Sequence, residues 1–354
     1  MQQMPIELLQ RVAAFSRLSG LQSLVLLNSR FYQNLISMMY RVVHITSLKQ
    51  TIKLCDTMMS GRSSLGLYPR SLGIEIKDPN LVVQKPEIQR RLRGLLLAID
   101  NVIDLTLDLR DYIIGGLFNQ ELIRAVRFKL RRFACTSHAF EHGLAQFLRR
   151  QKKIETLVLL EDTIQKIWPT VNYIGINTML PLLSSITGGR NLLGLVPKRS
   201  VSCIGIGEGS ELSEIAQIAS VISQASVPLI ALSIKISVFH EMECDTHVTK
   251  WLESLSHCHE SLEKIEFCVY LTNRRRLFGP PPTEPFPISL NLKTFNIQVR
   301  CFVALRSFTL KSAHHGMPQL FEYSGPDHED FDSWRVLCPS LEFVSLFERE
   351  ISSE

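Results

Sequence analysis

Leu229-Ile230-Ala231-Leu232-Ser233-Ile234-Lys235-Ile236 and Leu262-Glu263-Lys264-Ile265-Glu266-Phe267-Cys268-Val269 carry one pattern twice. Apolar residues stand at the first, fourth, sixth and eighth places. The closing alternation has a period of two, which is the signature of a strand with one buried face. Val102, Leu105, Leu107 and Leu109 repeat the pattern, as do Leu292, Phe295, Ile297 and Val299. Shorter copies are Leu130-Phe133-Cys135, Ile154-Leu157-Leu159, Val201-Ile204-Ile206, Leu305-Phe308-Leu310 and Leu341-Val344-Leu346, with a weaker one at Pro69, Leu72, Ile74 and Ile76. Between copies, residues 86–99, 139–151, 211–224 and 245–257 have helical spacing of apolar groups. Strand and helix alternating at short range imply parallel strands joined by right-handed crossovers.

Counted at the second apolar position, the copies fall at residues 72, 105, 133, 157, 204, 232, 265, 295, 308 and 344. Many are separated by roughly 24 to 33 residues, the period of a leucine-rich repeat. The wide gap between 157 and 204 implies a degenerate unit, and the asparagine usual after the strand is mostly missing. The expected architecture is therefore α/β: a divergent leucine-rich-repeat-like solenoid with a curved parallel sheet over residues 46–354. Residues between the buried positions line its exposed concave face, where a partner would bind. They are Glu75, Lys77, Asp108, Arg110, Lys235, Glu266, Gln298, Arg300 and Lys311, mixed in sign with a basic excess.

Composition narrows the function classes. At 354 residues, 45% hydrophobic and 21% charged, the chain is globular and too long for one ordinary core. A net charge of +5, from 39 basic against 34 acidic residues, is too mild for a strong nucleic-acid binder. MQQMPIELLQ shows no basic region followed by an apolar one, and no run of 18 uncharged apolar residues occurs, so neither a signal peptide nor a membrane span is expected. The eight cysteines are then expected to be reduced, in a cytoplasmic or nuclear protein.

The first 45 residues differ from the repeats. Pro5 suits the first turn of a helix and Glu7 its positive dipole end. Ile6, Leu8, Leu9, Val12 and Phe15 follow at helical spacing. Ser19 and Gln22 form a capping box ahead of Leu21, Leu24, Val25 and Leu27. Asn28 or Ser29 can cap a third helix bearing Phe31, Leu35, Ile36, Met39 and Tyr40. Three short helices cannot bury so many apolar groups among themselves, so part of this surface is expected to need another protein.

This ordered run resembles the F-box: Pro5-Ile6-Glu7-Leu8-Leu9, then Val12, Leu21, Leu24 and Leu27-Asn28-Ser29-Arg30-Phe31. The closing Met39-Tyr40-Arg41 is similar to the end of the box in fungal members. Gly20 stands where an acidic residue is common, and Asn28 where cysteine is usual. The resemblance implies a three-helix box over residues 1–45 that docks on the Skp-family adaptor of a cullin-RING (SCF) ubiquitin ligase. It implies Pro5, Ile6, Leu8, Leu9, Val12, Leu21, Leu24, Leu27 and Phe31 as adaptor-facing or box-core residues. The implied function is a substrate-recognition subunit, with the solenoid binding a protein substrate. The alternatives are a repeat scaffold without a ligase role, and an α/β enzyme whose site the sequence does not reveal.

Other motifs carry less. Gly205, Gly207 and Gly209 follow a strand, but Ser210 stands where a dinucleotide fingerprint needs glycine, so a tight strand-to-helix turn is expected. His240, Cys244, His247, His257, Cys258 and His259 cluster without the close pairs of a zinc site, and His257 and His259 suit a helix end. No nucleophile elbow or metalloprotease motif occurs, so no catalytic residue, metal or cofactor is expected. The segment 279–287, with Arg274, Arg275 and Arg276, reads as a proline-rich loop, and residues 324–332 as an acidic one.

Overall fold

The computed structural model describes residues 20, 23, 29–60, 64–76, 85–136, 142–160, 179–197, 199–210, 212–238, 243–271, 299, 301–312, 331–346 and 349–351. The chain divides into two compact units, Met1–Pro169 with Thr178–Pro181, and Thr170–Asn177 with Leu182–Glu354. Each is α/β.

The first unit contains helix α1 (Ser29–Met39), strand β1 (Val42–Ile45), α2 (Leu48–Met59), β2 (Ser71–Ile76) and α3 (Lys85–Ala98). It continues with β3 (Asp104–Leu109), α4 (Asp111–Leu117), α5 (Gln120–Ala125), β4 (Arg132–Thr136), α6 (His142–Arg150) and β5 (Thr156–Leu160). The five strands pair in chain order, all parallel. Local signals fix the helix ends: Ser47 accepts the amide of Gln50 at 3.3 Å ahead of α2, and Asn119 accepts that of Leu122 at 2.9 Å ahead of α5.

One face of these strands is the core. Leu72, Ile74, Leu105, Leu107, Phe133, Cys135 and Leu157 are buried in register across β2 to β5. The helices cover this face. Phe147 of α6 lies 5.6 Å from Phe133 and 4.6 Å from Phe118, ring centre to ring centre, and the tilted contacts suit aromatic quadrupoles. Gly66 is required by close approach: a Cβ there would stand 1.9 Å from the Ala98 carbonyl oxygen.

A hydrogen-bond device recurs where each strand begins. The carbonyl of Arg41 accepts the amides of both Arg70 and Ser71, at 2.9 and 3.1 Å. Arg70 does the same for Ile103 and Asp104, Ile103 for Arg131 and Arg132, and Arg131 for Glu155 and Thr156. Each carbonyl uses both of its lone pairs to hold the next strand in register. From Ile103 onward the accepting residue directly follows the first apolar place of the sequence pattern, Val102 or Leu130, which is itself buried.

The second unit contains β6 (Ser185–Gly188), β7 (Cys203–Ser210), α7 (Ile215–Ile222), β8 (Ala231–Val238), α8 (Glu243–Ser254) and β9 (Lys264–Leu271). It ends with β10 (Ser307–Ser312), α9 (Phe331–Leu337), β11 (Phe343–Leu346) and β12 (Arg349–Ile351). β6 to β11 pair in order and parallel, and β12 closes the edge antiparallel to β11. The same strand-start device runs through Ser184, Ser202, Ile230, Glu263 and Arg306, each taking two amides from the following strand. Phe267 and Phe308 meet at 6.1 Å under β9 and β10, and Trp334 of α9 stacks on Phe308 at 6.1 Å.

Several expectations are refined. β1 and β6 are strands the pattern did not give, and β6 lies in the wide gap between 157 and 204. Residue 45 falls at the end of β1, where Ile45 is buried and paired with Ile74. Gly205 and Gly207 are not a turn but lie within β7, and α7 starts only after a 3₁₀ turn at Leu212–Glu214. The glycine is needed inside the strand because a Cβ at Gly205 would stand 2.7 Å from the Thr187 hydroxyl of β6. The copy at Leu292 to Val299 lies outside the described residues except for Val299, which is buried, and β9 takes β10 as its next neighbour. Among the described residues no helix is long and apolar enough to cross a membrane.

Candidate functional site

Strand alternation leaves the other face of the strands lined by polar side chains, and in each unit these build the candidate binding surface. In the second unit its centre is Glu266 on β9. Lys311 of β10, one diagonal place along in the register, brings Nζ to 2.6 Å from Glu266 Oε1. Ser233 of β8, directly opposite Glu266, donates its hydroxyl to the same oxygen at 3.1 Å. The Glu266 side chain is only 21% exposed. Burial alone would push its carboxyl up. The hydrogen bond and charge of Lys311, helped by Ser233 and Lys264, reverse this and hold it below the usual range.

The next row along the strands aligns Lys235, Cys268 and Lys311. Lys311 and Lys264 act on the Glu266 carboxylate, and Lys235 stands one diagonal place away on β8. Burial raises the Cys268 thiol, with Lys311 and Lys235 pulling it back only in part, so it remains a protonated thiol and not an activated nucleophile. The surface can attract and orient anionic groups.

The exposed strand face of the first unit has the opposite balance. Asp104, Asp108 and Glu75 carry negative charge, with Arg132 and His44 as counterweights. Arg132 reaches Asp104 at 3.0 Å, Thr136 donates to Asp108 at 2.8 Å, and His44 lies 3.8 Å from Glu75. Arg110 leaves the strand row: its carbonyl starts α4, accepting the amide of Ile113 at 2.8 Å.

Of the residues expected on the concave face, Glu75, Asp108, Lys235, Glu266 and Lys311 therefore stand on exposed strand faces. Lys77, Gln298 and Arg300 lie outside the described residues. Ser233, Lys264 and Cys268 also stand on this face, at alternate places of the two copies that define the pattern, and were not among the residues expected there. Of the adaptor-facing positions, Pro5, Ile6, Leu8, Leu9, Val12, Leu21, Leu24 and Leu27 lie outside the described residues. Phe31 falls within α1, whose Leu35 and Ile36 are buried.

The histidines near Cys258 have local partners. His257 Nδ1 meets the Ser254 carbonyl at 3.1 Å and His259 Nδ1 the Ser256 carbonyl at 2.7 Å, both at helix ends. The described cysteines are free thiols, and Cys55, Cys135, Cys258 and Cys338 are buried.

Comparison with known protein families matches none, and no curated protein matches the chain. The class is therefore set by the fold alone: an α/β protein of ordered parallel strands with a polar exposed face.

Proposed function

We propose that the chain is the substrate-recognition subunit of an SCF-type ubiquitin ligase. In this reading residues 1–45 form an F-box that docks on a Skp-family adaptor. The repeats form a leucine-rich-repeat-like solenoid whose exposed strand face binds a protein substrate. The observation that carries it is the strand-start hydrogen-bond device, repeated through both units. It marks successive strand–helix units as equivalent, as a repeat array requires. The ordered F-box pattern at the N-terminus supplies the link to the ligase.

The lysine-rich face around Glu266 selects the substrate class, a segment with acidic or phosphorylated character. The mechanism is proximity: adaptor and substrate held on one chain make ubiquitin transfer effectively intramolecular, with no catalytic group from this protein. The test reconstitutes the ligase with partners captured by the wild-type chain. Lys235→Glu with Lys311→Glu is expected to abolish their ubiquitination while adaptor binding persists. Unchanged ubiquitination by that double variant overturns the assignment of this face.

A further inference from the structure

Two donors on the exposed strand face of the second unit already hold a carboxylate, and it belongs to the chain itself. Lys311 Nζ at 2.6 Å and the Ser233 hydroxyl at 3.1 Å both donate to Oε1 of Glu266. They stand on β10 and β8, the two neighbours of β9, and meet at one oxygen between them. An ammonium and a hydroxyl converging in this way are matched to a carboxylate, whose oxygens accept several bonds and gain most from a charged donor.

Glu266 fills this place without sealing it. The Lys311 side chain is 42% exposed and that of Glu266 21%, so the ammonium is the part that an incoming group reaches first. An ion pair open to solvent to this extent is held weakly, so its anion can be exchanged. The chain also offers the displaced carboxylate a new position. Lys264 stands two residues before Glu266 on β9, hence on the same face, and is exposed. Its charge already favours the ionised form of Glu266. Rotation of the Glu266 side chain along β9 toward Lys264 clears Ser233 and Lys311 with no change in the backbone.

We infer that Ser233 and Lys311 form a carboxylate-binding site, and that Glu266 is its built-in competitor until an Asp or Glu side chain of the partner takes its place. The inference rests on the reading that this face binds an acidic segment, and not on the ligase assignment. The competitor sets a threshold for binding. A carboxylate on the same chain is present at high effective concentration, so one acidic side chain displaces it poorly and a segment bearing several displaces it well.

The test is fluorescence anisotropy of a labelled Glu-rich peptide with the full chain. Wild type binds it, and Glu266→Gln binds it about five-fold tighter. In a Lys311→Gln background, where binding is weaker throughout, the same change brings no such gain, because the contact it frees is already gone. Glu266→Asp keeps the charge but falls a methylene short of Ser233 and Lys311. It also tightens binding, by less, and serves if the Gln variant misfolds by circular dichroism. Binding by wild type that folded Glu266 variants leave unchanged or weaken, or an equal gain in the Lys311→Gln background, overturns the inference and leaves the reading of the face standing. Absence of binding by both wild type and Glu266→Gln overturns the two together.

Discussion

Glu266 shows how one residue links stability to recognition. Its folded pKa lies below its unfolded value, so its contribution is present above the ordinary glutamate range. It is lost as pH falls through the folded pKa. Glu266→Gln should therefore flatten the acid side of the stability profile. Because Lys311 is 42% exposed and solvent screens it, the loss at neutral pH should be about 1 kcal/mol. Urea denaturation between about pH 3 and 7 checks both, and parallel profiles for the two proteins would contradict them.

Gln151 is a second case. It is fully buried, accepts the Leu130 amide at 3.0 Å and donates to the Phe128 carbonyl at 3.4 Å. Gln151→Leu would leave both groups buried without it, and a destabilisation of about 1–3 kcal/mol is expected in urea melts. Ser261 and Ser340 act similarly on the carbonyls of Leu229 and Leu305, at 2.9 and 2.8 Å. These scattered side chains hold the turns between strands with no regular asparagine. Ser261 and Ser340 each stand directly before the first apolar place of a copy and reach the first place of the copy before. Gln151 stands three residues ahead of Ile154, so residue type and position together follow no single rule.

Strands were legible where their apolar run was full. β3, β8 and β9 each have alternate buried residues, and the exposed partners of those residues could be read from the same alternation. β1 has only Val42-Val43-His44-Ile45, and β6 ends on Thr187-Gly188, so neither carries the long pattern. Both exist because a neighbour pairs with them, which is tertiary information. Gly205 of β7 misled for a related reason: its need arises from Thr187 on another strand, not from the local backbone. Helices α3, α6, α7 and α8 were legible from their apolar spacing, with ends displaced by a few residues, whereas α2, α4, α5 and α9 were not. Packing of the helices on the sheets is testable at Phe147, which touches three other aromatic rings. Phe147→Ala should destabilise by about 3–5 kcal/mol and lower the denaturation midpoint, whereas a change under about 1 kcal/mol would mean that this cluster is not core.

Over the whole chain, charge is sorted by unit and by face. Among the described residues the exposed strand face is acidic in the first unit and basic in the second, a division hidden when the same residues are pooled along the sequence. The strand-start hydrogen bonds repeat from strand to strand, and the charges on the exposed face do not. In the proposed reading the N-terminal pattern would make this array a receptor and not merely a binding surface.

The most direct test of that role is isothermal titration of the full chain with a purified Skp-family adaptor, beside Leu8→Asp and Leu24→Asp. Intact α1 and β1 are kept in these variants, as Leu35 and Ile45 are buried and truncation at residue 45 would remove core. Binding by wild type, weakened by about a hundred-fold or more in each variant, is the predicted result. A folded wild-type chain that binds no adaptor, or variants that bind as well as wild type, would contradict it.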